Sequence, residues 1–105
     1  MSKVTFQYKN KNYGLTYTIK DVETFETVLD KSLLSEVAKT RGLFPISELR
    51  LLFAYGVKTV PDGRPLDEAE AGNLFNDMVS KDYPTICANV TNAIYEDCPF
   101  LFPES

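Results

Sequence analysis

Glu68 and Glu70 are the nearest this chain comes to a paired-carboxylate acid–base set, and Cys87 is the nearest to a nucleophile. Two residues apart on a helix, the carboxylates do not face each other, so they cannot share a proton across a substrate. Placed at a helix start, they instead complement the partial positive charge of the helix N-terminus. Cys87 lacks a base to deprotonate it, because the sequence contains no histidine. That absence also removes every histidine-dependent triad and the usual nitrogen ligand of zinc. The five glycines, Gly14, Gly42, Gly56, Gly63 and Gly72, stand apart and none begins a phosphate-cradling loop. The residue types therefore point to no catalytic residue, no metal site and no cofactor.

Two further motifs read as coincidence. Asn89-Val90-Thr91 matches a glycosylation sequon, but Val90 falls on the inward face of a helix. Ser47 to Phe75 could be drawn as a helix-turn-helix, yet its second helix would present Asp67, Glu68 and Glu70 to DNA across too long a turn. The formal charge of −4, with basic residues scattered along the chain, likewise argues against a nucleic-acid partner.

The elements that would hold any site follow from periodicity. At 105 residues, 44% hydrophobic and 25% charged, the sequence suits one domain, 1–105. Val4, Phe6 and Tyr8 alternate with Lys3, Thr5, Gln7 and Lys9, and Tyr13, Leu15, Tyr17 and Ile19 repeat the pattern after the polar KNKN connection. This is a β-hairpin over 3–19, with Asn10 supplying a positive φ in the turn. A helical part spans 21–98. Asp21 stands as N-cap to Val22, Phe25, Val28 and Leu29, and Leu33, Leu34, Val37 and Ala38 recur beyond Ser32, as one helix or two. ISELRLLFAYG is helical from about Glu48, with Arg50 its only charged side chain beyond that residue, and its neighbours are expected on nearly all sides. Arg50 is expected to reach solvent or a carboxylate such as Glu23 or Glu26. The turn-rich VKTVPDGRP reads as an exposed loop. Asp67 and Glu70 have capping-box spacing ahead of the stripe Ala71, Leu74, Phe75, Met78 and Val79. Pro84 opens a last helix with Ile86 or Cys87, Val90, Ala93 and Ile94 inward, and Pro99 stops it. The fold class is α+β, a hairpin followed by a small bundle of three to five helices.

Cys87 and Cys98 on one helix would lie about 16 Å apart, beyond disulfide reach, so both are expected as free thiols. MSKVTFQYKN lacks the cationic start and apolar run of a secretory signal, and no stretch approaches bilayer-spanning length. The expected location is the cytosol, with no membrane partner.

What stands out is aromatic and apolar surface, with seven Phe and six Tyr. This favours an interaction module over an enzyme. Phe100, Leu101 and Phe102, in an apolar tail over 99–105 that follows a helix stop, are the candidate partner-binding residues. The unpaired edge of the hairpin also suits self-association into dimers or rings.

The order of motifs resembles a known family. KNYGLTYTIKDVETFETVLDKSLLSEV is similar to the start of the tail assembly chaperones of long-tailed bacteriophages and prophages. ISELRLLFAYGVKTV followed by PLDEAEAGNLFNDMV resembles the family's pairing of a leucine-rich helix ending in glycine with an acidic-capped helix. ICANVTNAIYED is comparable to its last helix, so the resemblance covers about residues 12 to 97. It implies a non-catalytic protein that keeps the tape measure protein soluble and helps recruit tail tube protein subunits in the cytoplasm of the bacterial host. It implies absence from the mature virion, and a longer frameshifted form in many members. The competing reading is a small acidic inhibitor or immunity-type protein that binds one enzyme.

Overall fold

The computed structural model describes residues 4–102; Lys3, expected to open the first strand, and the tail residues 103–105 lie outside the described residues. The class is α+β as expected. Strands β1 (Val4–Tyr8) and β2 (Lys11–Leu15) form an antiparallel hairpin that pairs Phe6 with Tyr13 and Tyr8 with Lys11. Its turn has only two residues, Lys9 and Asn10, with φ of 48° and 66°. Positive φ at both positions matches the twist of the flanking strands. A third strand, β3 (Val57–Thr59), pairs with β2 and gives the order β1-β2-β3. This strand sits inside the stretch read as a loop. Three residues are too few for alternation to signal a strand, and the turn formers beside them dominate the pattern.

Helices α1 (Ile19–Leu29) and α2 (Leu33–Thr40) are separate. The strand expected to run to Ile19 ends at Leu15, and Ile19, 61% exposed, opens α1 instead. Thr18 is the N-cap, and its hydroxyl accepts the Asp21 N–H while the Asp21 carboxylate accepts the Thr18 N–H. Asp21 is thus the third-position partner of a capping box rather than the cap. Val22 and Phe25 are buried, whereas Val28 is 58% exposed, so α1 presents less apolar surface to the core than its spacing suggested. In α2, Leu33 and Val37 face inward and Leu34 and Ala38 outward. Adjacent leucines lie about 100° apart on a helix, and eight residues cover only one face.

Helix α3 (Ile46–Gly56) starts directly after Pro45, whose carbonyl accepts the Leu49 N–H at 2.9 Å. Leu49, Leu52, Phe53 and Gly56 are buried. The rings of Phe53 and Phe75 lie 5.6 Å apart, with α1 on another side. One face stays open: Ile46, Arg50 and Ala54, each four residues on, are exposed. Arg50 does not pair with Glu23 or Glu26. Its Nη2 donates to Asn76 Oδ1 at 2.7 Å, and its guanidinium sits 4.8 Å over the Phe75 ring. Glu26 instead accepts the Leu33 N–H at 2.8 Å, at the start of α2.

Helix α4 (Glu68–Asp97) opens on the expected Asp67–Glu70 capping box. It is two helices end to end, because Asp82 adopts φ −158° and ψ 75°. Asp82 caps the second half by accepting from Thr85 N and Oγ1 at 3.2 and 2.7 Å, with Pro84 in the first turn where its missing N–H costs nothing. Ile86, Cys87, Val90, Ala93 and Ile94 line the inward face. Tyr83, at the joint, donates its hydroxyl to the Phe44 carbonyl. Burial, then contact with the Cys87 thiol, pushes that hydroxyl up to about 12, so it stays a donor.

Both cysteines are free and buried. Burial, reinforced by the Asp97 and Asp21 charges, pushes the Cys98 thiol up to about 11. A thiolate is the reactive form. Native protein at pH 8 should therefore give almost no reaction with Ellman's reagent over an hour, and both thiols should react in denaturant. Rapid native labelling of either would contradict this packing.

Candidate functional site

The predicted trio at the C-terminus splits in two. Pro99 to Leu101 form a single 3-10 turn, closed by Leu101 N–H to Cys98 O at 3.0 Å and Phe102 N–H to Pro99 O at 3.1 Å. The turn throws Phe100 outward, 52% exposed, and turns Leu101 and Phe102 back onto the core. The Phe102 ring meets Tyr95 with 4.3 Å between centroids. The base of the turn is fixed by Cys98, fully buried, and by Asp97, whose Oδ2 accepts the Tyr17 N–H at 2.9 Å.

Phe102 and Tyr95 form one wall of a groove of about 560 Å³ between α2 and the second half of α4. The opposite wall is Leu34, Val37 and Ala38, with Arg41 at the rim. Thr91 lies at the bottom, its Oγ1 buried without a hydrogen-bond partner. The end of α2 closes over it. Gly42 has φ +81°, and a Cβ there would sit 2.8 Å from Thr91 Oγ1. Arg41 has no ion-pair partner among the described residues. The groove can take an apolar side chain or a short helical face and offer one cation beside it.

Sequence reasoning found Phe102 but missed Leu34 and Tyr95. Adjacency to the inward Ile94 and Leu33 does not decide either position, since neighbours such as Ile86 and Cys87 or Ala93 and Ile94 are both buried.

A second groove of about 470 Å³ lies between α3 and the first half of α4. Leu51, Ala54, Tyr55 and Leu66 give it apolar sides, with Arg50 and Glu68 beside them. Gly72 also lines it, and a Cβ there would touch nothing within 4 Å.

Composition alone does not reveal the third feature. Glu36 of α2 and Glu48 of α3 are each only 5% exposed. Lys31, in the α1–α2 connection, reaches Glu48 Oε2 at 2.7 Å and Glu36 Oε2 at 3.9 Å. Hydrogen bonding to Glu48, then burial, then the Glu48 charge raise the Glu36 carboxyl above its ordinary range, against the pull of Lys31 and Lys39. Glu48 Oε1 is buried without a hydrogen-bond partner. A raised carboxyl resembles acid–base machinery. Neither Glu36 nor Glu48 lines these two grooves, and with Lys31 the pair links α2 to α3.

Among the described residues there is no cluster of three or more metal-ligating side chains, and no helix is long and apolar enough to cross a membrane. No protein-family model, curated protein or solved structure matches the chain.

Proposed function

We propose that this chain is a tail assembly chaperone of a long-tailed bacteriophage or prophage, acting without catalysis in the bacterial cytoplasm. It holds the helical tape measure protein in soluble form, helps recruit tail tube subunits around it, and is absent from the finished virion. The observation that carries the reading is the α2/α4 groove walled by the half-exposed Tyr95 and by Phe102, with Phe100 exposed on the turn that leads to Phe102. It offers exposed aromatic surface next to a cation, on a chain whose net charge of −4 favours solubility. An amphipathic helix is the natural occupant of such a groove, anchored by apolar residues one turn apart. The resemblance of the motif order over residues 12 to 97 to tail assembly chaperones supports the tape measure protein as the client.

The test is co-expression with a tape measure protein encoded beside this chain. Its soluble fraction should rise several-fold with the wild-type chain, and a complex should copurify. Phe100→Ser combined with Tyr95→Ser should abolish most of that gain while leaving the melting temperature within about 3 °C, since both side chains are half exposed. Point changes are preferable to deleting 99–105, because Leu101 and Phe102 also cover the core. No gain in client solubility, or an unaffected double variant, would sink the proposal.

A further inference from the structure

Gly72 lines the groove between α3 and α4. A glycine within a helix costs about 1 kcal/mol relative to alanine. Gly72 stands in the first half of α4 although a Cβ would meet nothing within 4 Å. Internal packing therefore does not require it. What its missing side chain provides is depth, between the apolar sides formed by Leu51, Tyr55 and Leu66. On α3, Ile46, Arg50 and Ala54 form an exposed ridge, of which Arg50 and Ala54 line this groove.

The charges along the groove decide what fits. Arg50 is held at the level of Phe75 and Asn76, two helical turns or about 10 Å along α4 from Glu68. Both side chains are exposed, and neither has an ion-pair partner among the described residues. The groove thus has a cationic end and an anionic end. A two-fold axis perpendicular to it exchanges those ends, so Arg50 of one copy meets Glu68 of the other twice over. An isologous contact needs this kind of self-complementary patch.

We propose that the α3/α4 groove is a self-association surface. Two copies pack groove to groove about a two-fold axis, with paired Arg50–Glu68 contacts at the ends and the α3 ridge seated where Gly72 leaves space. This surface is separate from the α2/α4 groove, and it stands or falls independently of the chaperone reading.

Sedimentation equilibrium of the full chain tests it. At roughly 100 µM and low salt the chain should be largely dimeric, dissociating on dilution and more readily in high salt. Arg50→Glu and Glu68→Arg should each weaken the dimer about tenfold or more, and the double reversal should restore it. Gly72→Leu should give a monomer with an undiminished melting temperature, which separates a blocked interface from a damaged fold. Three results would overturn the proposal. They are a monomer at every concentration, a double reversal no tighter than the single variants, or a Gly72→Leu chain that dimerises like wild type. The last would place self-association elsewhere, such as the β1 edge.

Discussion

Gly56→Ala is expected to cost about 3 kcal/mol of stability, and to lower the melting temperature by more than about 10 °C. Gly56 ends α3, and a Cβ there would lie 2.4 Å from Tyr17 Cζ and 2.7 Å from its hydroxyl oxygen. Relief would require Tyr17 to move, and it is held on three sides. Its hydroxyl donates to the Leu52 carbonyl at 2.6 Å, its backbone N–H to Asp97 Oδ2 at 2.9 Å, and the neighbouring Thr16 N–H to the Gly56 carbonyl at 3.0 Å. The ring itself is 3% exposed. Burial, with the Asp21 and Asp97 carboxylates adding to it, raises the Tyr17 hydroxyl well above its ordinary value, so it remains a donor across the working pH range. Moving the tyrosine would thus add about 1 kcal/mol of lost hydrogen bonding to the overpacking cost. Urea unfolding monitored by circular dichroism gives the value directly. Tyr17→Phe separates the two contributions, since it keeps the ring and removes only the hydrogen bond to the Leu52 carbonyl, at about 1 kcal/mol. If Gly56→Ala costs less than Tyr17→Phe, the close approach of ring and helix is not what this position requires.

Legibility in the sequence followed the length of each signal. The hairpin was readable because alternation persists through β1 and β2, and the start of α4 because a capping box precedes a long apolar stripe. Periodicity does not separate α1 from α2; the break rests on Asp30, whose φ of 52° ends α1 in the left-handed region. Aspartate adopts that conformation more readily than most residues, but nothing in composition announces that it has done so. At α3 the apolar count misled. With Arg50 the only charge after Glu48, the helix looked enclosed, yet Ile46 and Ala54 are exposed and Glu48 is buried. Burial depends on which neighbours arrive, and those are set by tertiary contacts many residues away. The candidate site was legible only in part for the same reason. An apolar tail after a helix stop can be read from residue types, but that Leu101 and Phe102 turn inward while Phe100 turns out depends on the 3-10 turn and on Tyr95 lying beneath it. The carboxyl pair was invisible, since Glu36 and Glu48 are 12 positions apart and each sits in an ordinary helical pattern.

That pair yields a pH dependence of unusual sign. Glu36 binds its proton more tightly in the folded chain than unfolded, because the proton bonds to the buried Glu48 carboxylate and relieves a desolvated charge. The contribution to stability is therefore fully present below the unfolded carboxyl value, near pH 4.3, and is lost as pH rises through the raised folded value. Lys31 cannot prevent the loss, since its side chain is 44% exposed and its attraction is screened by solvent. Once Glu36 has lost its proton, its buried carboxylate faces Glu48 across one half-exposed lysine, and Glu48 Oε1 has no hydrogen-bond partner. Glu36→Gln replaces the ionising group with a permanent N–H donor of the same shape. The variant should be more stable than wild type by about 1 to 2 kcal/mol at pH 8, with the difference shrinking toward zero by pH 4. Reading the difference between the two proteins, rather than either curve alone, removes the opposite trend that surface carboxylates impose. Glu48→Gln should instead remove most of the upward shift at Glu36, whose largest cause is Glu48, while depriving Lys31 of its 2.7 Å partner. Urea unfolding from pH 4 to 8 on the three proteins decides the matter. A Glu36→Gln difference that is flat with pH, or a variant less stable than wild type at pH 8, would mean that the two carboxyls do not share a proton.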